Sequence, residues 1–165
     1  MADAAGVSVE TVYKTFGGKP GLVKALWDVT LAGDDEPVPM GERAELRAVW
    51  ATPRLDEKLR GYAAFVRGVH ERLAPLLAVL ASAGADAAEV LAISERERMA
   101  GVSAFVAHLA GPADIVPEAV TDAFWALTGP HLFIQLIRDR GWSPTAYERW
   151  LAAMLAATVE DSRRA

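Results

Sequence analysis

The histidines of this chain, the side chains that most often act in acid–base catalysis, are few and far apart in sequence. There are three histidines, His70, His108 and His131, and no cysteine. The sequence has no HExxH-type pair of metal ligands and no glycine-rich phosphate loop after a strand. No serine or lysine has a recognisable base beside it. We therefore expect no catalysis, no cofactor and no metal site, and we look for binding functions instead.

A segment near the N-terminus carries the chemistry of a binding motif. Residues 4–24 read AAGVSVETVYKTFGGKPGLVK. Within it, residues 5–8 have the pattern of a helix end, a glycine turn, an apolar residue and a serine N-cap, and residues 9–16 follow as a short helix. This is the layout of a helix-turn-helix, whose second helix enters the major groove of DNA.

The side chains on the outer face of the short helix suit a DNA groove. Val12 and Phe16 are four residues apart and are expected to face inward, which leaves the remaining side chains outside. Tyr13 and Lys14 can donate to phosphates or base edges. Thr11 can contact a thymine methyl group, and Glu10 can accept a hydrogen bond from cytosine.

The same segment resembles the signature of TetR-family transcriptional regulators. The glycine turn, the short recognition helix with its tyrosine, the closing aromatic residue and the glycine–lysine turn occur in the family's order. The resemblance implies a ligand-responsive regulator, usually a repressor, that binds a palindromic DNA operator as a homodimer and responds to a small-molecule effector. It implies base contacts by Val9, Glu10, Thr11 and Lys14, and phosphate contacts by Tyr13, Thr15 and Lys19.

The chain departs from the family pattern at its beginning, because the family's first helix has no counterpart here. Val12, Phe16, Leu22 and Leu26 are therefore expected to lose much of their covering, at about 1.5–3 kcal/mol for each exposed side chain. On this reasoning the chain binds DNA poorly or not at all. The alternative function is a helical dimer that binds a small molecule or a full-length relative without binding DNA.

The elements that must position these residues are predicted to be helices throughout. Hydrophobic residues make up 52% of the chain and recur at three- and four-residue spacing, and alternating β-branched runs are missing. The acidic stretch 33–39 contains two prolines and marks a boundary. We therefore predict an all-α fold with a partial helix-turn-helix and connecting helix at 1–33 and a TetR-like effector-binding and dimerisation domain at 34–165.

Charge and hydropathy indicate where basic residues concentrate and whether the protein enters a membrane. The net charge of −5 divides into +1 for residues 1–24 and −6 for the rest, so the basic excess lies with the motif. No secretory leader and no long apolar run appears in the sequence. We expect a soluble cytoplasmic protein that has no membrane partner.

The larger domain is predicted to contain long helices at 55–82, 86–109, 117–138 and 143–161. We expect Pro75 to kink or break the first of these near Leu73, and Gly111-Pro112 to end the second. The stretch 123–137 has no charged side chain and is apolar all round, so it must be buried on more than one side. Homodimerisation through 117–139 and 143–161 would bury it, and burial inside one subunit is the alternative.

An effector pocket is expected among the long helices, lined by apolar bulk and a few polar groups. The candidates are Tyr62, Phe65, Met99, Phe105, Trp125, His131 and Gln135. The most informative are His131 and Gln135, which are four residues apart on an apolar helix and need polar partners if they are buried. That partner is either a ligand or a second subunit. His70, which precedes Glu71-Arg72, is expected on a solvated face.

Overall fold

Every regular element in the described part of the chain is a helix, so the prediction of an all-α fold is confirmed. The structure is a computed structural model, and it describes residues 5–81, 85–113, 115 and 117–164. Within these residues no helix is long and apolar enough to cross a membrane.

The helices follow one another with short connections. They are α1 (Val9–Phe16), α2 (Lys19–Ala32), α3 (Ala44–Ala51), α4 (Leu55–Leu80), α5 (Ala85–Ala113), α6 (Pro117–Leu127), α7 (Pro130–Ile134) and α8 (Pro144–Ser162). A short 3-10 turn, Met40–Glu42, precedes α3, and a π-helical turn, Gln135–Asp139, continues α7.

Local signals in the sequence set the ends of α1, α2 and α8 where they were expected. The Ser8 side chain accepts a hydrogen bond from the Thr11 amide and caps α1, and Ser143 accepts from the Ala146 amide at the start of α8. Gly17 and Gly33 end α1 and α2 with φ values of 68° and 90°, a region that glycine enters without steric cost.

Two hydrophobic clusters hold the helices together. In the larger one, α8 buries Tyr147, Leu151, Leu155 and Val159 against α4 and α6. The smaller cluster joins α2 to α4 and α5, and Trp27 is its residue from α2. Helix α2 is therefore anchored against α4 and α5 through a buried tryptophan.

The predicted break at Pro75 and the predicted end of the next long helix at Leu109 are both wrong, while a kink at Pro75 stays a prediction. Helix α4 runs through Pro75 without interruption, because the loss of one backbone donor is offset by buried neighbours such as Leu73, Leu76 and Leu80. Helix α5 likewise continues past Gly111 to Ala113 instead of ending at Leu109. Pro112 lies in the last turn of α5, where a proline removes only one backbone hydrogen bond, so the helix continues past it.

The predicted single helix over 117–138 is also wrong, since α6 ends at Leu127 and α7 starts at Pro130. Gly129 precedes that proline and has an extended backbone, with φ −74° and ψ 144°. The ring of a proline disfavours helical geometry in the residue before it, so the break falls there. Phe124 and Phe133 are buried inside the chain, whereas Trp125 is 36% exposed. Homodimerisation through these helices stays a prediction.

Candidate functional site

The proposed DNA-facing side of α1 lies in solvent. All seven side chains named for DNA contact are exposed, among them Val9 at 61% and Tyr13 at 59%. No residue of α1 is buried. The surface is therefore open to a large partner, and α1 contributes nothing to the buried core.

Side chains on this surface interact with one another. Lys14 Nζ lies 2.8 Å from Glu10 Oε1 across one helical turn. The Thr15 hydroxyl donates to the Thr11 carbonyl over 2.9 Å, and the Thr11 hydroxyl lies 2.9 Å from that of Ser8. Because the Glu10–Lys14 pair is fully hydrated, it contributes little to stability, and a phosphate could displace Glu10 from Lys14.

Gly21 fixes the approach of α1 to α2. A Cβ at this position would lie 1.7 Å from the Phe16 carbonyl oxygen, so only glycine allows the end of α1 to lie this close to α2. No pattern in the sequence singles out Gly21. The close contact shows that it sets the position of α1 against α2.

The apolar side chains of this region are covered unequally. Val12 and Leu22 are half-buried, while Phe16 is 37% exposed and Leu26 is 47% exposed. The expectation that Phe16 faces inward is therefore wrong: in the described residues, the shared interface of α1 and α2 is too small to enclose it. An exposed apolar strip runs along this corner.

A large cavity lies between α2, the connection 34–43, α4 and α5. Its volume is about 1030 Å³, at the upper end of the range of small-molecule sites. Five aromatic side chains line it, and they are Trp27, Trp50, Tyr62, Phe65 and Phe105. Trp27 comes from α2, which follows α1 after only Gly17 and Gly18, so the exposed surface of α1 and the cavity wall are close along the chain.

The predicted pocket residues do not all meet here. Tyr62, Phe65 and Phe105 line the large cavity. Trp125 and His131 line a smaller cavity of about 350 Å³ instead, beside Arg98 and Gly129. Met99 and Gln135 line neither of these two cavities. Both His131 and Gln135 are exposed, so neither needs a buried polar partner.

Aromatic stacking fixes the rings at the base of the large cavity. The Tyr62 and Phe105 ring centroids are 3.9 Å apart with an interplanar angle of 18°. Phe65 and Phe124 lie near the same tyrosine ring, at 6.4 and 6.5 Å. Rings packed in this way have few alternative rotamers, so the Tyr62 hydroxyl is held in position.

His70 is 4% exposed and lines the cavity, so its expected place on a solvated face is wrong. Its Nδ1 lies 3.4 Å from the Tyr147 hydroxyl. Burial lowers the pKa of His70 to about 4, and the nearby charge of Arg98 acts in the same direction. The imidazole is therefore neutral at pH 7.

Arg98 is the cation of the cavity wall nearest to these groups. It donates to Glu95 over 2.6 Å and to the Trp125 carbonyl over 2.7 Å, and its guanidinium lies 4.8 Å from the Trp125 ring centroid. These contacts neutralise and orient its charge. Arg98 thereby links the large cavity to the last turn of α6.

The mouth of the cavity is acidic. Lys24 pairs with Asp28 at 2.5 Å, and Arg43 pairs with Asp34 at 2.6 Å. Hydrogen bonding from Arg43 lowers the pKa of Asp34, which stays ionised at neutral pH. Asp35 and Glu36 line the same rim. The rim therefore disfavours the entry of anions.

Comparison of the chain with models of known protein families, with curated proteins and with solved structures found no match. Among the described residues, no group of three acidic or histidine side chains is placed to hold a metal ion. The features of the described residues that bear on function are the exposed surface of α1 and the large cavity.

Proposed function

We propose that the protein is a ligand-responsive transcriptional regulator whose α1 helix contacts DNA and whose large cavity binds a small effector molecule. The observation that carries the proposal is the position of Trp27. This side chain lines the cavity from α2, and only Gly17 and Gly18 separate α2 from the recognition helix. A ligand that displaces Trp27 would move α1 through the contact at Gly21.

Regulation of this kind needs a second subunit, because a palindromic operator presents two half-sites about one helical turn apart. We propose a homodimer through 117–139 and 143–161. An effector then changes DNA affinity only if it binds one spacing of the two α1 helices better than the other. The continuous connection from cavity wall to α1 supplies the mechanical link for that difference.

A second candidate is a helical small-molecule-binding protein that does not bind DNA by itself. The observation that favours it is the weak anchoring of α1, which buries no side chain and leaves Phe16 and Leu26 exposed. This candidate keeps the cavity and the dimer but assigns no partner to the face of α1. It includes pairing with a full-length relative.

DNA retention distinguishes these two functions. Fluorescence anisotropy of labelled DNA duplexes with a randomised centre would measure binding of the protein, at about 50 mM and about 200 mM salt. A regulator is expected to bind at low salt, to lose affinity steeply at high salt and to enrich palindromes on repeated selection. The double variant Tyr13→Ala/Lys14→Ala should lose retention.

The matched control is Arg47→Ala, which removes an exposed cation from α3, outside the α1 surface. It should keep the wild-type affinity. If the wild type and the double variant bind equally weakly, with no palindrome enriched, DNA binding by α1 is excluded and the second candidate is retained.

A further inference from the structure

The Tyr62 hydroxyl is open to the large cavity and has no partner among the described residues, whereas the fully enclosed unpartnered atoms are all on other side chains. Tyr62 is 6% exposed and lines the large cavity, yet its hydroxyl forms no hydrogen bond with any residue that the structure describes. A hydroxyl at the wall of an aromatic-lined cavity, with no protein partner of its own, can donate to a molecule bound there. Stacking on Phe105 keeps the hydroxyl in place.

The neighbouring polar groups of the cavity wall already have partners. Ser94 donates to the Val90 carbonyl over 2.9 Å, and Thr128 donates to the Phe124 carbonyl over 2.7 Å. Arg98 is bound by Glu95 and by the Trp125 carbonyl. None of these three groups forms a hydrogen bond with the Tyr62 hydroxyl, and each already has a protein partner.

Other unpartnered groups around the cavity are donors of the same kind. The ring N–H groups of Trp27 and Trp50 are buried and have no acceptor among the described residues. Both are enclosed by protein atoms, so a ligand would reach them only after a shift of the wall. The complementary ligand group is therefore a hydrogen-bond acceptor. The Tyr62 hydroxyl is the donor that a ligand can reach without a shift of the wall.

Charge decides the kind of acceptor. The described lining holds six acids, Asp28, Asp34, Asp35, Glu36, Glu95 and Glu97, and three bases, Lys24, Arg43 and Arg98. The excess of negative charge raises the free energy of an anion in this space. A carboxylate is therefore disfavoured as the acceptor, and a carbonyl oxygen is favoured.

We propose that the cavity binds a neutral aromatic molecule whose carbonyl oxygen accepts a hydrogen bond from the Tyr62 hydroxyl. Five aromatic side chains line the space and offer stacking surfaces to such a molecule. This inference rests on the proposed function, which makes the cavity the effector site. It adds the chemical class of the effector and the residue that selects it.

Three matched probes test the proposal by equilibrium dialysis, namely benzophenone, diphenylmethane and benzoylbenzoate. The first two differ only in a carbonyl group against a methylene, and the third adds a carboxylate to the ketone. Tyr62→Phe removes the hydroxyl and keeps the stacked ring. Thr158→Val is the control, since it removes a half-buried hydroxyl of α8 that donates to the Met154 carbonyl and does not line the cavity.

Tyr62→Phe is expected to raise the benzophenone Kd by about threefold to tenfold, which is the worth of one neutral hydrogen bond. Diphenylmethane should bind both proteins equally, and Thr158→Val should behave as the wild type. Benzoylbenzoate should bind the wild type more weakly than benzophenone. An unchanged benzophenone Kd in Tyr62→Phe, or preference for the carboxylate, overturns the assignment while leaving the cavity as a ligand site. If no probe binds, the cavity itself is rejected as the effector site, and the inference falls with it.

Discussion

Lys58 Nζ lies 2.7 Å from Nε2 of His108 and 3.0 Å from the carbonyl oxygen of Trp50. The lysine is 6% exposed, and no carboxylate in the described part of the chain pairs with it. Burial lowers the pKa of Lys58. An ammonium group can only donate, so both of its partners here are acceptors. A buried ammonium held only by neutral acceptors depends strongly on both of them.

His108→Leu is therefore expected to destabilise the fold by about 2–3 kcal/mol, because it leaves a buried ammonium with one acceptor. The double variant Lys58→Met/His108→Leu removes the charge as well and should recover most of that loss. Urea unfolding measures both variants against the wild type, and the double-variant cycle isolates the interaction. A double variant no more stable than His108→Leu alone would contradict this account.

The buried His70 makes stability depend on pH. Its pKa is about 4 in the folded chain and about 6.5 in an unfolded one. Between these values the unfolded state takes up the proton first, so the stabilising contribution is complete above about pH 6.5 and is lost as the pH falls toward 4. From pH 7.5 to pH 4.5 the loss is about 2–3 kcal/mol.

His70→Gln should remove this part of the pH dependence. The measurement is the free energy of unfolding in urea across that range, for the wild type and the variant. His131→Gln is the control, since His131 is exposed and should leave the dependence unchanged. If the wild type and His70→Gln show parallel curves, the imidazole does not titrate as argued.

The sequence predicted the elements best where a single residue decides the backbone. Ser8 and Gly17 bound α1 through a side-chain cap and a positive φ, and both effects act within one helical turn. The break at Gly129-Pro130 carried a similar local signal, but the apolar run around it concealed that signal. Local signals in the sequence were therefore sufficient to place the ends of α1. At Gly129-Pro130 such a signal was present but was not recognised as a helix end.

The cavity could be predicted only in part, because it depends on which helices meet. Tyr62, Phe65 and Phe105 were found as aromatic residues at helical spacing. His70 was misplaced because its neighbours in sequence are charged, although adjacent residues on a helix point about 100° apart. It lies on the same stripe as Val66 and Leu73, which are both buried. Trp27 enters the cavity from a helix of the N-terminal segment, which no local pattern indicates.

Gly21→Ala is predicted to release α1 from α2. Alanine normally stabilises a helix by about 1 kcal/mol relative to glycine, but here its Cβ would meet the Phe16 carbonyl oxygen at 1.7 Å. The end of α1 must then move. Hydrogen exchange of the α1 amides should accelerate, while the amides of α4 and α8 keep their protection.

Gly101→Ala is the matched control for this substitution, since nothing lies within 4 Å of a Cβ added on α5. It should stabilise the protein by about 0.5–1 kcal/mol and leave exchange in α1 unchanged. Equal exchange rates in α1 for the wild type and Gly21→Ala would show that the corner tolerates a side chain.

The pair Glu10 and Lys14 gives a prediction specific to DNA binding by α1. The carboxylate lies 2.8 Å from the ammonium and competes with a phosphate for it. Glu10→Gln should therefore raise affinity for duplex DNA, whereas Lys14→Ala should lower it and reduce the slope of log affinity against log salt by about one. Opposite effects of the two substitutions, measured by anisotropy on one duplex, identify a phosphate contact at Lys14. Substitutions that both weaken binding would instead indicate that Glu10 contacts a base, as a hydrogen-bond acceptor for cytosine.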